Sequence, residues 1–168
     1  MGVIQVLHFS EDPAISVFRP HVPPTNPEMQ PMVWAIDEPH SPLYWFPRDC
    51  PRVAYWADDG SPPDRLGPTT ASRVHAIEAS WFERARACRL YTYRFDAAPF
   101  EPWAEADGHW VASESVEPIS VEPVGDLLAR HAAAGIELRI VPSLQVLVEP
   151  VVASGYRFSM VRMANAQG

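Results

Sequence analysis

Cysteine is scarce. Cys50 and Cys88 are the only two in 168 residues, too few for a disulfide framework and without the paired spacing of a thiolate zinc site. No stretch approaches the roughly 18 apolar residues needed to cross a bilayer. The N-terminal run MGVIQVLHFSEDP carries no basic segment ahead of its short apolar stretch, so it reads as a first strand rather than a secretory signal, and a cytoplasmic location is expected. Basic residues are also in deficit: 13 Lys+Arg against 21 Asp+Glu give a net charge of −8. A field of that sign repels polyanions and argues against general nucleic-acid binding. The glycines form neither a P-loop nor a G-x-G-x-x-G pattern, which removes the commonest phosphate cradles. The six histidines show no H-x-H or helix-spaced ligand pairing of the zinc type, and no metal is expected.

Proline and aromatic residues are what the chain has in quantity. Nineteen prolines imply long, stiff connections, because each fixes φ and removes a backbone donor. Six tryptophans supply large buried area and flat surfaces on which a ring can stack. The 47% hydrophobic and 20% charged content is that of a globular protein, and the length suits one domain over residues 1–168 with a single core. Against the negative net charge, Arg19, Arg48 and Arg52 remain candidates for holding a small phosphate ligand, since a pocket responds to its near charges.

The patterning predicts an α+β chain of six or seven strands in mixed or antiparallel sheets with two or three helices. Residues 3–9 form a strand closed by SEDP, and 19–31, with five prolines, is a long ordered loop able to serve as a lid. Residues 32–36 form a second strand, ended by Asp37 as a cap for a short turn or helix over 38–46, and 50–56 form a third. Residues 58–68 are a loop. A helix is predicted from Thr69 or Thr70 to Cys88, because Val74, Ile77, Trp81, Ala85 and Cys88 recur at spacings of three and four. Strands follow at 90–95 and within 110–121, then a helix from Pro123 to Ala134 ended by Gly135. A strand over 136–141, a short helix over 143–152 and a strand over 155–163 complete the chain.

Nucleophile patterns are sparse. Ser41 adjoins His40 and Ser10 lies two residues from His8, but neither serine sits in a G-x-S-x-G elbow. His8 and Ser10 share a strand face, whereas adjacent residues do not. The segment FPRDCPR is either a binding loop or a rigid turn pinned by Arg48 and Asp49. Nearby arginines lower the pKa of Cys50 if it is exposed; burial makes it inert.

The run VWAIDEPHSPLY resembles the strand-then-helix element of ADP-ribosyltransferase-like domains, with a histidine on an earlier strand. The resemblance implies a nucleotide cleft with NAD as the cofactor or ligand. His8 would contact a ribose, Tyr44 would stack on nicotinamide, and Trp34 would line the same cleft; Ser10, Arg19 and Arg48 are counted beside them as candidate cofactor-binding residues from their own positions and charge. Such transferases use a glutamate on a later strand, and the strand HWVASESVEPISV places His109 at that position. Glu114 is the substitute acid, ahead of Glu117 beside Pro118; both also fit solvated strand-edge acids. Over nearly its full length the chain also resembles a family of bacterial proteins of unassigned activity, through HFSEDP, VWAID, LYWFPRDCPR and VEPVGDLL. Three functions follow: ADP-ribosyl or glycosyl transfer, nucleotide binding without turnover, and metal-dependent hydrolysis by scattered His and Asp.

Overall fold

The structure, a computed structural model, describes residues 4–61 and 69–167. The strands in chain order are β1 (Gln5–Ser10), β2 (Val33–Ile36), β3 (Arg52–Trp56), β4 (Arg73–Glu78), β5 (Tyr91–Asp96), β6 (Glu101–Pro102), β7 (His109–Ala112), β8 (Ser120–Pro123), β9 (Glu137–Val141) and β10 (Arg157–Val161). The helices are α1 (Phe82–Ala87), α2 (Leu127–Ala133) and α3 (Gln145–Ala153). The class is α+β, with ten strands among the described residues where six or seven were expected. No described helix is long and apolar enough to cross a membrane. The chain divides into two compact units, residues 1–44 with 89–124, and residues 45–88 with 125–168.

The first unit is built on an antiparallel sheet of order β6-β7-β2-β1-β5-β8. Strand residues alternate between faces, so the registers assign every side chain. Val6 lies opposite Phe95 and His8 opposite Tyr93 on β5, while Val33 lies opposite Ala112 on β7. That face is the apolar core, where Val6, Val33, Ala35, Tyr93, Phe95 and Ala112 pack with Phe18 and Phe100. The buried Tyr93 hydroxyl donates to the Asp12 carbonyl and accepts from the Ile15 amide, which ties the turn after β1 onto the sheet. The proline-rich segment is pinned at its ends by the bridges Phe18 to Val116 and His21 to Met32.

The second unit carries a sheet of order β10-β3-β4-β9, in which only β4 and β9 run parallel. Val53, Tyr55, Val74 and Ala76 pack on one face with Leu144 and Val151 of the α3 region. Ile77 packs on the other with Phe46, Cys50 and Ala85 of α1. Strand β4 is therefore covered on both sides, and Val74, His75, Ala76, Ile77 and Glu78 are all 0% exposed. This overturns the helix predicted from Thr69 or Thr70 to Cys88: residues 73–78 are a strand, and only 82–87 are α-helical. A segment buried on both faces has no amphipathic period, so apolar residues at spacings of three and four occur without a helix.

The second correction concerns Pro123, which ends β8 instead of opening a helix. Asp126 caps α2, its carboxylate accepting from the Ala129 amide at 3.0 Å. Gly135 follows α2 at φ +70°, the left-handed conformation expected of it. The helix expected over 143–152 is α3. Of the expected loop 58–68, residues 62–68 lie outside the described residues.

Candidate functional site

The candidate site lies in the first unit, on the face of the sheet opposite its core. Trp34 lies opposite Val111 and Ile36 opposite His109, so Trp34 and His109 emerge on one side. The short strand β6 turns back into β7 through Asp107 and Gly108, with the Trp103 amide donating to the His109 carbonyl at 2.8 Å. Trp103 thus joins the same side, its ring 5.4 Å from Trp34 at 67°. After β2, Asp37 accepts from both the amide of His40 at 2.9 Å and its Nδ1 at 2.7 Å. That cap starts the 3-10 turn Ser41–Tyr44, which delivers Tyr44 to His109.

The Tyr44 hydroxyl is 2.7 Å from His109 Nε2, and His109 Nδ1 is 3.0 Å from the Asp107 carbonyl. A carbonyl only accepts, so Nδ1 carries the proton and Nε2 of the neutral ring is an acceptor. The phenol therefore donates to the imidazole. Burial pushes the His109 pKa below the ordinary histidine value, the Asp107 hydrogen bond opposes this, and the nearby His40 adds to it. The ring stays neutral at pH 7. The indole Nε1 of Trp34 is buried with no hydrogen-bond partner among the described residues, and a buried indole N–H ordinarily finds one.

Gly108 makes this arrangement possible. Its φ is +76°, and a Cβ there would stand 2.3 Å from Nδ1 and 2.4 Å from Cγ of His40. Gly108→Ala is expected to cost more than the roughly 1–2 kcal/mol of a left-handed alanine, since the His40 ring is held by Asp37 and has to leave its place. A urea midpoint within error of the wild type, with unchanged His40 and His109 NMR signals, contradicts that.

The remaining predicted residues are placed elsewhere. His8 donates from Nδ1 to the Trp34 carbonyl at 2.8 Å, and its ring meets Phe18 edge-on at 4.9 Å on the core face. His8 and the Tyr44–His109 pair accordingly occupy opposite faces of the sheet and do not converge in one cleft, because residues of neighbouring parity point apart. Ser10 accepts from the Asp12 amide as a turn residue. Arg19 is exposed at the start of the proline-rich loop, and Arg48 is exposed in the second unit. Arg52 is buried, donates to the Cys50 carbonyl and lies over the Phe46 ring. Burial raises the Cys50 pKa to about 12 against the influence of Arg52 and Arg84, so the thiol is not activated. Glu114 and Glu117 are exposed in the connection between β7 and β8; no hydrogen bond or ion pair among the described residues involves the Glu114 carboxylate. Among the described residues no group of three or more His, Cys, Asp or Glu is placed to hold a metal ion.

Sequence reasoning named Trp34, Tyr44 and His109 but missed Trp103, Asp37 as the partner of His40, and Gly108. The available signal was the D-G pair at 107–108 with tryptophans at 103 and 110, a hairpin turn flanked by strand residues.

The profile of a family of unknown function (DUF6886) matches residues 7–166. The chain belongs to that family. No curated protein and no solved structure matches it. The DUF6886 match contains every residue of the Trp34, Tyr44, Trp103 and His109 cluster, and it bears out the family resemblance carried by HFSEDP, VWAID, LYWFPRDCPR and VEPVGDLL.

Proposed function

We propose that this protein binds a ligand of the nucleotide class at Trp34, Tyr44, Trp103 and His109. The observation that carries the reading is the Trp34 indole N–H, buried without a hydrogen-bond partner among the described residues, beside the Trp103 ring and the His109 imidazole. An orphaned buried donor calls for an acceptor. A planar ring bearing acceptor atoms, such as a nucleobase or a nicotinamide carboxamide, meets both demands: it stacks on an indole face and accepts from the other edge. NAD carries two such rings. Binding without transfer is favoured over ADP-ribosyl transfer, because the Glu114 carboxylate is exposed and unengaged while a neutral imidazole occupies the ring cluster.

Isothermal calorimetry with NAD, ADP-ribose, adenosine and nicotinamide tests the reading. Saturable binding of at least one probe is expected, weakened about threefold to tenfold by Trp34→Phe, which keeps an aromatic ring and deletes the donor. Absence of heat with all four probes, or equal affinity in the variant, overturns it.

A further inference from the structure

We infer that the ring cluster takes the nucleosides and free bases of its ligand class and rejects their phosphates; this rests on the nucleotide-class reading and narrows it. Charge is divided unequally between the two units. The chain has no lysine, and residues 1–44 with 89–124 hold three arginines against twelve acids, whereas the other unit holds ten arginines and nine acids. Five of the twelve acids, Asp37, Glu38, Glu101, Glu105 and Asp107, lie within four residues of Trp34, Trp103 or His109 in the chain. Glu101 pairs with Val111, the residue that Trp34 pairs with from the other side, so its side chain leaves the sheet on the face of the rings. Glu105 and Asp107 lie in the connection from Trp103 to His109. Glu101 and Glu105 are exposed, and no hydrogen bond or ion pair among the described residues involves their carboxylates.

Among the described residues of this unit, the groups that receive a phosphate do not stand beside the rings. Strands β2, β6 and β7 contain no arginine. Arg94 on β5, two strands from β2, donates to Glu38 at 3.3 Å. Arg19 follows Phe18, which packs into the opposite face, and Arg89 precedes β5. All three described α-helices belong to the other unit, so the first offers an anion no α-helix N-terminus among its described residues. The 3-10 turn beside the rings opens on the Asp37 carboxylate, which already takes the His40 amide. A phosphate on a ligand seated against Trp34 and Trp103 brings about 1.5–2 negative charges to a patch that is already negative, and like charges juxtaposed without compensation repel. An uncharged ring keeps its stacking and its hydrogen bond from the Trp34 indole in the same field.

The test is calorimetry on the full chain at pH 7 with adenosine and guanosine, each against its 5′-monophosphate. At about 10 mM ionic strength a nucleoside is expected to bind about tenfold or more tightly than its monophosphate. At about 1 M, where the screening length falls from about 30 Å to about 3 Å, the gap is expected to shrink to about threefold or less. The double variant Glu101→Gln/Glu105→Gln is expected to narrow the low-salt gap by about threefold. The readout is the ratio of the two affinities, so a change in stacking or folding common to both probes cancels. A monophosphate that binds as tightly as its nucleoside at low salt, or a ratio that salt or the glutamate variant leaves unchanged, overturns the inference and leaves the binding reading standing. Absence of heat with both nucleosides overturns it as well, and the four-probe calorimetry above then shows whether the binding reading falls with it.

Discussion

Glu78→Ala is expected to lower the unfolding free energy by about 1–3 kcal/mol, the cost of one buried backbone donor left without an acceptor. Glu78 ends the doubly covered strand β4 and is 0% exposed. Its carboxyl accepts from the Leu144 amide at 3.1 Å, at the N-terminus of α3, and from the Gln167 amide at 3.1 and 3.0 Å. Leu144 is itself fully buried, so its amide has no route to water once the acceptor is gone. One side chain thereby fastens the start of α3 and the end of the chain to the same strand. Glu78→Gln, which retains an acceptor oxygen, is expected to restore more than half of the loss. Urea unfolding curves measure both; an alanine variant within about 0.5 kcal/mol of the wild type, the ordinary range for an inconsequential surface change, contradicts the assignment.

Acidification is expected to destabilise the second unit through His75 and His131. His75 is 0% exposed and His131 1%. Nδ1 of His131 donates to the Leu127 carbonyl at 2.7 Å, leaving its Nε2 to accept from His75 Nδ1 at 3.0 Å. Both rings are therefore neutral in the native state. Burial pushes the His75 pKa well below the ordinary histidine value, with His131, Arg73 and Arg52 adding to it. Burial likewise lowers that of His131, opposed by the Leu127 hydrogen bond. With the folded values depressed, the unfolded chain binds protons first as pH falls below about 6.5. The pair contributes full stability above that pH and loses it below, by up to about 1.4 kcal/mol per pH unit for each ring. About 1–2 kcal/mol is expected to be gone by pH 5.5, most of it through His75. The double variant His75→Leu/His131→Leu is expected to show a shallower fall over the same window. An NMR titration in which either ring is protonated in the native state above pH 6 sinks the argument without any variant.

Features governed by a few neighbouring residues were legible in the sequence. Strands β1 and β2 are short β-prone runs bounded by SEDP and by Asp37, and Asp37 caps the following turn as its chemistry suggests. Gly135 ends α2 in the left-handed region for the same local reason. The start of α2 was misread because Pro123 and Asp126 both carry a helix-opening signal, and pairing of Pro123 with Tyr91 on β5 decides between them. Strand β4 was illegible in principle, since its solid burial comes from α1, α3 and the strands beside it. For the candidate site, Trp34, Tyr44 and His109 were singled out through the resemblance of their segments to a known strand-then-helix element, which grouped them with His8. Adding Trp103 and removing His8 both required the register of β1, β2, β6 and β7.

The residue order by itself determined the negative charge, the stiff proline-rich connections, the α+β class and most of the caps and breaks, because those depend on composition or on interactions spanning a few residues. The tertiary structure alone decided which side of each strand is buried, and with it that His8 lies on the core face while Trp34, Trp103 and His109 gather on the other, where His109 meets Tyr44. A strand offers two faces of equal geometry, and only partners distant in the chain, through register and packing, choose between them.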